Sequence, residues 1–397
     1  MNNTRKISDR ISWIGVNDRT TELFESMWPL PNGVAYNCYL INDEKTALLD
    51  TVKLGSSPDF VDTVEHILDG KTLDYLIVNH VELDHTGELK NLVKRYPNIK
   101  IIGNAKTNKM LENYFGLGSS LQEVKEGDTL SLGHHELTFV FTPWVHWPEV
   151  MVTYDKTEKV LFSADAFGSF GTLDGGIFDD ELNFDYYKDD MLRYYSNIVG
   201  KYSKFVQKAF EKLSAYEIKT ICPLHGMVWR SEPQKVIGLY DKWSKQEADD
   251  AVVVIYGSMY GNTAIMADEM ARELSAAGVK DIRVYDVSKT HVSFLISEVW
   301  RCKGVVLGSC AYNGEMFPLM ANLTHDLLHV GAKNKVFGVF GSYTWSGGGV
   351  KNLKLFGEAA LWEMVPECLD MCGTPNSDKL LPLKAIAKSI AERLKTI

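Results

Sequence analysis

The sequence lacks long apolar runs. No segment of its 397 residues approaches the roughly 18 consecutive apolar residues that a membrane-spanning helix requires. The amino terminus, Met1 to Lys6, is polar, and it is not followed by an apolar stretch of the kind found in secretory signals. We therefore expect a cytoplasmic protein without a membrane partner.

Cysteine is also scarce, and clusters of positive charge are missing. Six cysteines are scattered along the chain, which is typical of reduced thiols and argues against a disulfide framework. The formal net charge is -10, and no block of lysine and arginine residues occurs. Because nucleic acids attract basic surfaces, we expect no nucleic-acid partner.

The chain is long enough to form two domains. Its length exceeds what one hydrophobic core usually spans, and its 45% apolar and 24% charged residues are ordinary for a globular protein. Residues 1–248 are predicted to form one domain and residues 249–397 a second. The charged stretch 236–250 has a helical pattern and is predicted to link them.

The two halves differ in their secondary-structure pattern. Up to about residue 175, apolar stretches such as 34–41, 75–79 and 160–164 predict strands in two sets. Residues 187–214 then predict one long amphipathic helix. From residue 251 onward, strands and helices alternate. The expected fold is an α+β domain with an αββα sandwich, followed by an α/β domain with a doubly wound parallel sheet.

A dense group of potential metal ligands follows the predicted strand 75–79. His80, Glu82, Asp84 and His85 lie within six residues at a strand end, where side chains can converge in a pocket. Packing alone does not explain such a group. The carboxylate of Glu82 makes the site harder and more anionic, which favours a pair of iron ions over zinc.

Three further candidate ligands lie at later strand ends. His146, Asp165 and His225 each follow an apolar stretch and precede a turn residue. Any one of them alone is more often a structural residue. Together with the first group they predict a two-metal site, in which Asp165 is the natural candidate for a bridging carboxylate.

A loop in the second half has the composition of a phosphate site. Residues 257–263 follow the predicted strand 252–256 and precede a predicted helix. They offer two hydroxyls, an amide and the N–H groups of a helix amino terminus, which together can bind a phosphate monoester without lysine. Such turns are also common by chance, so this loop alone leaves phosphate binding open.

Two more loops at strand ends favour a flat aromatic cofactor. Residues 308–314 and 341–349 combine glycines, which allow close backbone approach, with aromatic side chains that can stack on a ring. The residues predicted to bind the cofactor are Ser258, Met259, Tyr260, Gly261, Asn262, Thr263, Ser309, Cys310, Ala311, Tyr312, Asn313, Gly314, Ser342, Tyr343, Trp345, Ser346, Gly347 and Gly348.

These motifs resemble two known families. The three loops, in this order, resemble the flavodoxin family, whose loops hold FMN. The run 80–85 resembles the metallo-β-lactamase superfamily signature, usually His-x-His-x-Asp-His, from which Glu82 departs. The combination resembles the flavodiiron proteins, or A-type flavoproteins, along essentially the whole chain.

The resemblance implies a non-haem di-iron centre and one FMN. The implied ligands are His80, Glu82 and His146 for one iron, and Asp84 and His225 for the other, with Asp165 bridging. Whether His85 also coordinates is left open. Tyr195 is either a hydrogen-bond donor to a bound oxygen species or a tyrosine of the core.

The resemblance also implies an activity and partners. Flavodiiron proteins reduce dioxygen to water, nitric oxide to nitrous oxide, or both. Because the sequence ends soon after the flavodoxin-like part, we expect an external electron donor such as rubredoxin or a reduced deazaflavin. A head-to-tail homodimer is implied, with a dimer of dimers as a further option.

Two alternatives belong to other classes of protein. One is a hydrolase on the metallo-β-lactamase scaffold with an added flavin domain, against which Glu82 argues. The other is an electron carrier that uses only its FMN, against which the complete set of metal ligands argues.

Overall fold

The computed structural model describes residues 4–395, and the chain divides into two compact units, Met1–Asp241 and Lys242–Ile397. Among the described residues, no helix has both the length and the apolar character needed to cross a membrane. The predicted boundary between residues 248 and 249 stays a prediction.

Within the described part of the first unit, two large sheets carry most of the strands. The strands are β1 (Arg5–Lys6), β2 (Ile11–Trp13), β3 (Val16–Asp18), β4 (Leu23–Phe24), β5 (Trp28–Pro29), β6 (Val34–Tyr36), β7 (Tyr39–Asn42), β8 (Thr46–Leu49), β9 (Tyr75–Ile77), β10 (Lys100–Gly103), β11 (Leu121–Glu123), β12 (Thr129–Ser131), β13 (Glu136–Phe141), β14 (Met151–Asp155), β15 (Val160–Phe162) and β16 (Thr220–Cys222).

The helices of this unit connect and cover those strands. They are α1 (Phe60–Leu68), α2 (Leu83–Thr86), α3 (Leu89–Arg95), α4 (Ala105–Phe115), α5 (Lys188–Tyr194), α6 (Ser203–Leu213) and α7 (Pro233–Ser244). The larger sheet has the order β1-β2-β7-β8-β9-β10-β11, and the smaller has the order β12-β13-β14-β15-β16. Strands β7 to β9 are almost entirely buried, as expected for strands covered on both faces.

The sheet topology determines where the site forms. Strand β8 runs parallel to β9, and β15 runs parallel to β16. Parallel neighbours end at the same edge of a sheet, so the loops that follow β9, β15 and β16 can bring distant residues together. These are the loops that carry the predicted ligands His80, Asp165 and His225.

Two predicted elements of the first unit are wrong in detail. The predicted strand 34–41 is split into β6 and β7, which belong to different sheets. The predicted helix 187–214 is interrupted between α5 and α6 by a π-helical turn, Tyr195–Val199, and a 3-10 turn, Gly200–Tyr202. Gly200 is a poor helix former, and π-helical turns often occur at functional sites.

The second unit alternates strands and helices as predicted. Its elements are β17 (Asp249–Gly257), α8 (Asn262–Ala276), β18 (Asp281–Asp286), α9 (Val292–Arg301), β19 (Cys302–Tyr312), β20 (Glu315–Met316), α10 (Pro318–Val330), β21 (Val336–Tyr343), α11 (Gly349–Ala360), β22 (Glu363–Cys372) and α12 (Ser377–Leu394). The predicted helical stretch 236–250 is too long, because α7 ends at Ser244 and β17 begins at Asp249.

The second unit is a doubly wound parallel sheet. Its strand order is β18-β17-β19-β21-β22, and all four of these pairings are parallel. This is the 2-1-3-4-5 order, in which ligands bind outside the carboxyl ends of the strands. Apolar residues of β17, α8 and α12 form a continuous core, including Val254, Met270 and Ile386. The predicted fold of this half is confirmed.

Candidate metal centre and flavin site

The predicted metal ligands converge in two adjoining groups. His80, Glu82, His146 and Asp165 form one group, within which one potential ligand atom of each residue lies within 4.8 Å of the others. Asp84, His85 and His225 form a second group by the same measure. The structure therefore brings together all seven residues that the sequence singled out.

Asp165 stands between the two groups. Its Oδ2 lies 3.1 Å from His146 Nε2 and 3.6 Å from His80 Nε2. Its Oδ1 lies 3.0 Å from His85 Nε2 and 3.6 Å from His225 Nε2. One carboxylate oxygen thus faces each group, which is the arrangement that a bridging ligand needs.

The remaining carboxylates each belong to one group. Glu82 Oε2 lies 3.1 Å from His80 Nε2 and 3.3 Å from His146 Nε2. Asp84 Oδ2 lies 3.4 Å from Nε2 of His85 and 3.4 Å from Nε2 of His225. Each group therefore presents a carboxylate and two imidazoles toward a common centre.

Several of these polar atoms are buried without a hydrogen-bond partner among residues 4–395. They are both carboxylate oxygens of Asp84, both ring nitrogens of His85, Oδ1 of Asp165 and Nε2 of His225. Burying an unpaired polar atom costs free energy, so such a concentration calls for a bound group. Oxygen and imidazole nitrogen are donors that iron accepts in carboxylate-rich sites, so the residues present fit a di-iron centre.

The electrostatics of the first group favour cations. Burial opposes the charged form of Asp165, but the charge of His85 and hydrogen bonding with His146 hold its pKa well below the ordinary value. Burial lowers the pKa of His146, but hydrogen bonds with Asp165 and Glu82 raise it to about 9. The carboxylates thus stabilise positive charge here, and metal ions would replace the protons that the imidazoles otherwise hold.

Sequence reasoning missed the partners that orient the imidazoles. His80 Nδ1 lies 2.9 Å from Oε1 of the buried Glu149, which also accepts the N–H of Val81 at 3.1 Å. His225 Nδ1 lies 2.9 Å from the backbone carbonyl of Ala35. Such outer partners fix which ring nitrogen faces a metal. The only sequence signal for Glu149 is an acidic residue three positions after His146, just before a buried strand.

Asp50 was also missed, although it supports the loop that carries His80. Its carboxylate accepts the backbone N–H of Asn79 at 2.8 Å and that of His80 at 3.2 Å. It also accepts the side-chain amide of Asn79 at 2.9 Å. Burial raises the pKa of Asp50 to about 6. This carboxylate holds the strand end in position without belonging to either ligand group.

Glu25 is a third residue that the sequence analysis did not select. It lies in the turn between β4 and β5, and its Oε2 accepts the indole N–H of Trp28 at 3.0 Å. The residue as a whole is exposed, but desolvation of its carboxyl group, followed by the charge of the neighbouring Glu82, raises the pKa of Glu25 to about 7. The backbone of Glu25 is left-handed, with φ of 49°. Left-handed backbone at a non-glycine residue is concentrated at functional sites.

Tyr195 lies in the π-helical turn, where its hydroxyl is 3.0 Å from Ser203 Oγ and its ring packs edge-on against Tyr240. The preceding residue, Tyr194, is the one whose ring contacts His225, at a centroid distance of 5.5 Å. The Tyr194 hydroxyl is buried and has no hydrogen-bond partner within residues 4–395. The role predicted for Tyr195 stays a prediction, and Tyr194 is a second candidate for it.

In the second unit, the three predicted loops enclose a cavity of about 290 Å³. The predicted residues that line it are Ser258, Met259, Tyr260, Asn262, Thr263, Cys310, Ala311, Tyr312, Asn313, Gly314, Ser342, Tyr343, Trp345 and Ser346. Thr344 lines it as well and was not predicted. Gly261, Ser309, Gly347 and Gly348 are not among the lining residues.

Three of these four residues have a clear role in the local structure. Gly261 precedes α8 with φ of 93°, which favours glycine, and Gly348 precedes α11. A side chain at Gly348 would collide with the carbonyl oxygen of Gly314 at 2.2 Å. Ser309 is buried, and its Oγ accepts the N–H of Phe317 at 2.9 Å. Their predicted contacts with the cofactor stay predictions.

The cavity has the two features that FMN needs. At one end are the amino terminus of the 15-residue helix α8 and the hydroxyls of Thr263 and Ser342, whose oxygens are 2.9 Å apart. A phosphate fits there because helix N–H groups and hydroxyls donate hydrogen bonds to it. Tyr260 and Trp345 also line the cavity and are 92% and 85% exposed, so both rings are free to stack on a flat ligand.

Comparisons with known proteins agree with this division of the chain. A family model described as the ODP family beta lactamase matches residues 34–226, and the Flavodoxin model matches residues 254–361. The chain is 34% identical over 358 residues to the anaerobic nitric oxide reductase flavorubredoxin of Pectobacterium carotovorum, covering 88% of this chain and 70% of that protein.

Solved structures resemble the whole chain. Rubredoxin oxygen:oxidoreductase of Desulfovibrio gigas is 31% identical, with a TM-score of 0.94 and 99% coverage of both chains. A flavoprotein of Thermotoga maritima is 26% identical, with a TM-score of 0.89 and 98% coverage of both chains. The likeness extends across both units, and it confirms the predicted fold class.

The fold and the site define a flavoprotein oxidoreductase with a metallo-β-lactamase-like domain and a flavodoxin-like domain. The chain belongs to the flavodiiron protein family. Its cofactors are accordingly FMN and two non-haem iron ions, as predicted.

Proposed function

We propose that this protein reduces dioxygen to water, nitric oxide to nitrous oxide, or both, at its di-iron centre. The observation that carries the proposal is the position of Asp165, which presents one oxygen to each of two ligand groups. Two iron ions held by these adjoining groups would supply the redox chemistry for a diatomic substrate.

The proposed ligand assignment follows the two groups. His80, Glu82 and His146 would hold the first iron, Asp84, His85 and His225 would hold the second, and Asp165 would serve both. Including His85 goes one step beyond the ligands that the resemblance implied. Its support is the buried Nε2 atom, which lies 3.0 Å from Asp165 Oδ1 and 3.4 Å from Asp84 Oδ2. Within residues 4–395 this atom has no hydrogen bond of ordinary geometry.

The irons supply electrons and open coordination positions for the gas, and the residues of this chain hold them there. Glu149 and the carbonyl of Ala35 orient His80 and His225 so that one nitrogen of each ring faces the centre. The aromatic rings of Phe24 and Tyr194 pack against His225 at 5.4 and 5.5 Å, and they limit water at that side of the pocket.

The flavin is the proposed electron entry point. Reduction of dioxygen to two waters consumes four electrons and four protons, whereas coupling of two nitric oxide molecules to nitrous oxide and water consumes two of each. FMN exchanges electrons singly or in pairs, which suits delivery to iron ions that change charge by one. An external donor such as rubredoxin, or a reduced deazaflavin, would supply the flavin.

We also propose a head-to-tail homodimer in which the FMN of one subunit lies beside the irons of its partner. Electron transfer requires the two cofactors to be close, and a two-fold interface would form two such pairs at once. Size-exclusion chromatography with light scattering would separate a dimer from a dimer of dimers. A monomer with full activity would contradict this part of the proposal.

Both gases are candidate substrates because the relatives differ. The Pectobacterium relative is named a nitric oxide reductase, and the Desulfovibrio structure is named an oxygen oxidoreductase. Consumption of each gas should be measured side by side with an electrode, using reduced rubredoxin as the donor. A rate ratio far from one would identify the preferred gas.

Metal analysis tests the proposal against the hydrolase alternative. The purified protein is expected to contain about two irons and one FMN per chain, by analogy with other di-iron proteins and flavodoxin-like folds. Two zinc ions together with ester hydrolysis would support the hydrolase instead. Gas reduction by an iron-free protein would overturn the proposed mechanism.

A further inference from the structure

A third group of potential metal ligands lies outside the di-iron centre. His134, His135 and Glu158 each offer one atom, and these atoms lie within 4.8 Å of one another. His134 and His135 belong to the turn between β12 and β13, and Glu158 belongs to the turn between β14 and β15. Because β13 pairs with β14, the two turns lie side by side at one end of the smaller sheet.

One atom of this group is buried and forms no hydrogen bond within the described part of the chain. His135 is fully buried, and within residues 4–395 its Nε2 has no hydrogen bond. Its Nδ1 lies 2.9 Å from Oδ2 of Asp155, which is also fully buried. In the neutral ring the carboxylate holds the proton on Nδ1, which leaves a lone pair on Nε2, and a cation would replace the second proton of the charged ring. His80 and Glu149 form the same carboxylate–imidazole pair at the di-iron centre.

The backbone around the group is already fixed. Asp43 Oδ2 accepts the N–H of His134 at 2.8 Å and that of His135 at 2.7 Å. Asp155 Oδ2 accepts the N–H of Glu158 at 3.2 Å. A site whose supporting residues are held in this way loses little conformational entropy when a ligand binds.

We propose that His134, His135 and Glu158 bind a divalent cation of the zinc class. Two imidazoles and one carboxylate suit zinc, whereas calcium and magnesium prefer oxygen ligands alone. His135 Nε2 and Glu158 Oε1 are 3.9 Å apart. Ligands of one tetrahedral zinc are roughly 3.3–3.6 Å apart, given bonds of about 2.0–2.2 Å, so a small side-chain movement closes the site.

The group faces solvent, so the fourth ligand of the cation can come from outside the protein. The side chain of Glu158 is 27% exposed, and His134 is exposed, so water can complete the coordination. The cation would join the two turns and stabilise the edge of the smaller sheet. It would take no part in electron transfer, which separates this proposal from the proposed reductase activity.

Zinc binding to the intact holoenzyme tests the proposal. Protein that already contains iron and FMN is dialysed against micromolar zinc, and zinc, iron and flavin are measured per chain. The wild type is expected to gain one zinc while its iron content stays constant. The double variant H134A/E158Q is expected to bind zinc at least about tenfold more weakly, because outer partners of metal ligands alone contribute 10–100-fold.

Two controls keep the outcome interpretable. His325 is an exposed histidine beside Asp326, at 3.2 Å, and the H325A variant should bind zinc as the wild type does. Unchanged iron and FMN contents in H134A/E158Q show that it has folded. The proposal is overturned if the wild type gains no zinc, if zinc enters only as iron leaves, or if the double variant binds zinc normally.

Discussion

At the scale of single residues, Glu82 is the position at which this chain departs from the related hydrolase signature. Its carboxylate lies between His80 and His146, where the related hydrolase signature has a histidine. Burial opposes the charged form of Glu82, but hydrogen bonds with His146 and His80 hold its pKa well below the ordinary value. The residue is therefore an anion at neutral pH, and it adds a negative charge that a histidine would not supply.

Removal of Glu82 should impair the di-iron centre and leave FMN binding intact. We expect Glu82→Ala to lower the rate of gas reduction at least ~100-fold, since loss of a ligand exceeds the effect of losing an outer partner. FMN binding should stay unchanged, because the flavin cavity lies in the second unit. Gas consumption and flavin absorbance are the measurements. Substantial turnover in the variant would show that Glu82 does not bind iron.

Glu149 should matter although it touches no metal in the proposed assignment. Glu149→Gln replaces a charged acceptor of the His80 N–H with a neutral amide. We expect iron affinity to fall about 10–100-fold, the usual effect of an outer partner. Iron retention during dialysis against a chelator measures this change. Glu126→Gln, at an exposed ion pair with Lys212, is the matched control and should retain iron normally.

The sequence was sufficient to select the seven residues that the structure brings together in two groups, but not the residues that orient them. His80 to His85 are adjacent in sequence, and the strand ends locate His146, Asp165 and His225. Glu149 contacts His80 across 69 positions, and Glu25 reaches the site from a short hairpin. These contacts depend on tertiary packing, for which local sequence patterns carry no signal.

At the scale of elements, long-range contacts explain why the predicted strand 34–41 was wrong. The predicted strand 34–41 is split at Asn37, whose side-chain amide donates to the carbonyls of Pro223 and Gly226 at 2.8 Å each. Its Oδ1 accepts the indole N–H of Trp13 at 2.8 Å. These bonds direct the chain toward the loop that carries His225, and apolar periodicity cannot reveal them.

The loop before α8 provides a test of phosphate binding. Thr263→Val removes a buried hydroxyl that lies 2.9 Å from Ser342 Oγ at the amino terminus of the helix. We expect FMN to bind about tenfold more weakly, because a lost hydrogen bond to a charged group costs about 1.5 kcal/mol or more. The fluorescence of FMN recovers when FMN leaves the protein, and this recovery measures the affinity of the protein for FMN. Thr324→Val, a buried threonine bonded within α10, should leave FMN binding unchanged.

A buried lysine just before β21, Lys335, should make stability depend on pH. Lys335 donates to the carbonyls of Trp300 and Cys302, yet burial lowers its pKa to about 7. In the unfolded chain the pKa of a lysine is about 10.4, so between pH 7 and 10.4 the unfolded chain binds this proton more than the folded chain does. The free energy of unfolding therefore rises with pH across this range and decreases as the pH falls toward 7.

The size of this effect can be measured by mutation. Between pH 7.5 and 9 the free energy of unfolding should rise by up to about 1.4 kcal/mol per pH unit, a slope that Lys335→Met should remove. Urea unfolding of wild type and variant at both pH values, followed by tryptophan fluorescence, tests it. Equal slopes in the two proteins would mean that Lys335 stays charged in the folded state.

At the scale of the whole molecule, the order of motifs was more informative than any single motif. A strand-end histidine or a serine-rich turn is common, but His80 to His85 followed by three flavin loops identified both the fold class and the cofactors. The supporting carboxylates Glu149 and Asp50 were not predictable in this way, because they act through contacts between distant segments. The interruption of the predicted helix at Tyr195–Val199 was not predicted either.

Removing the irons should allow reduction of FMN by the donor but prevent the transfer of electrons from FMN to the gas. After chelation, the donor should still reduce FMN, because the flavin loops contain none of the proposed iron ligands. Electrons should then stay on the flavin when nitric oxide is added. Nitric oxide is the better test gas, since dioxygen oxidises many reduced flavins without a metal. Stopped-flow absorbance of the flavin measures both steps.

Adding metals back makes this test specific. Fe(II) should restore oxidation of the flavin by nitric oxide, whereas Zn(II), which has no redox chemistry, should not. The same zinc-loaded protein should be assayed for ester hydrolysis, since a metallo-β-lactamase-like domain with two zinc ions is the closest alternative. Rapid flavin oxidation by nitric oxide in the iron-free protein would mean that electrons leave through the flavin alone. Two groups of buried imidazoles and carboxylates around Asp165 would then have no role in turnover.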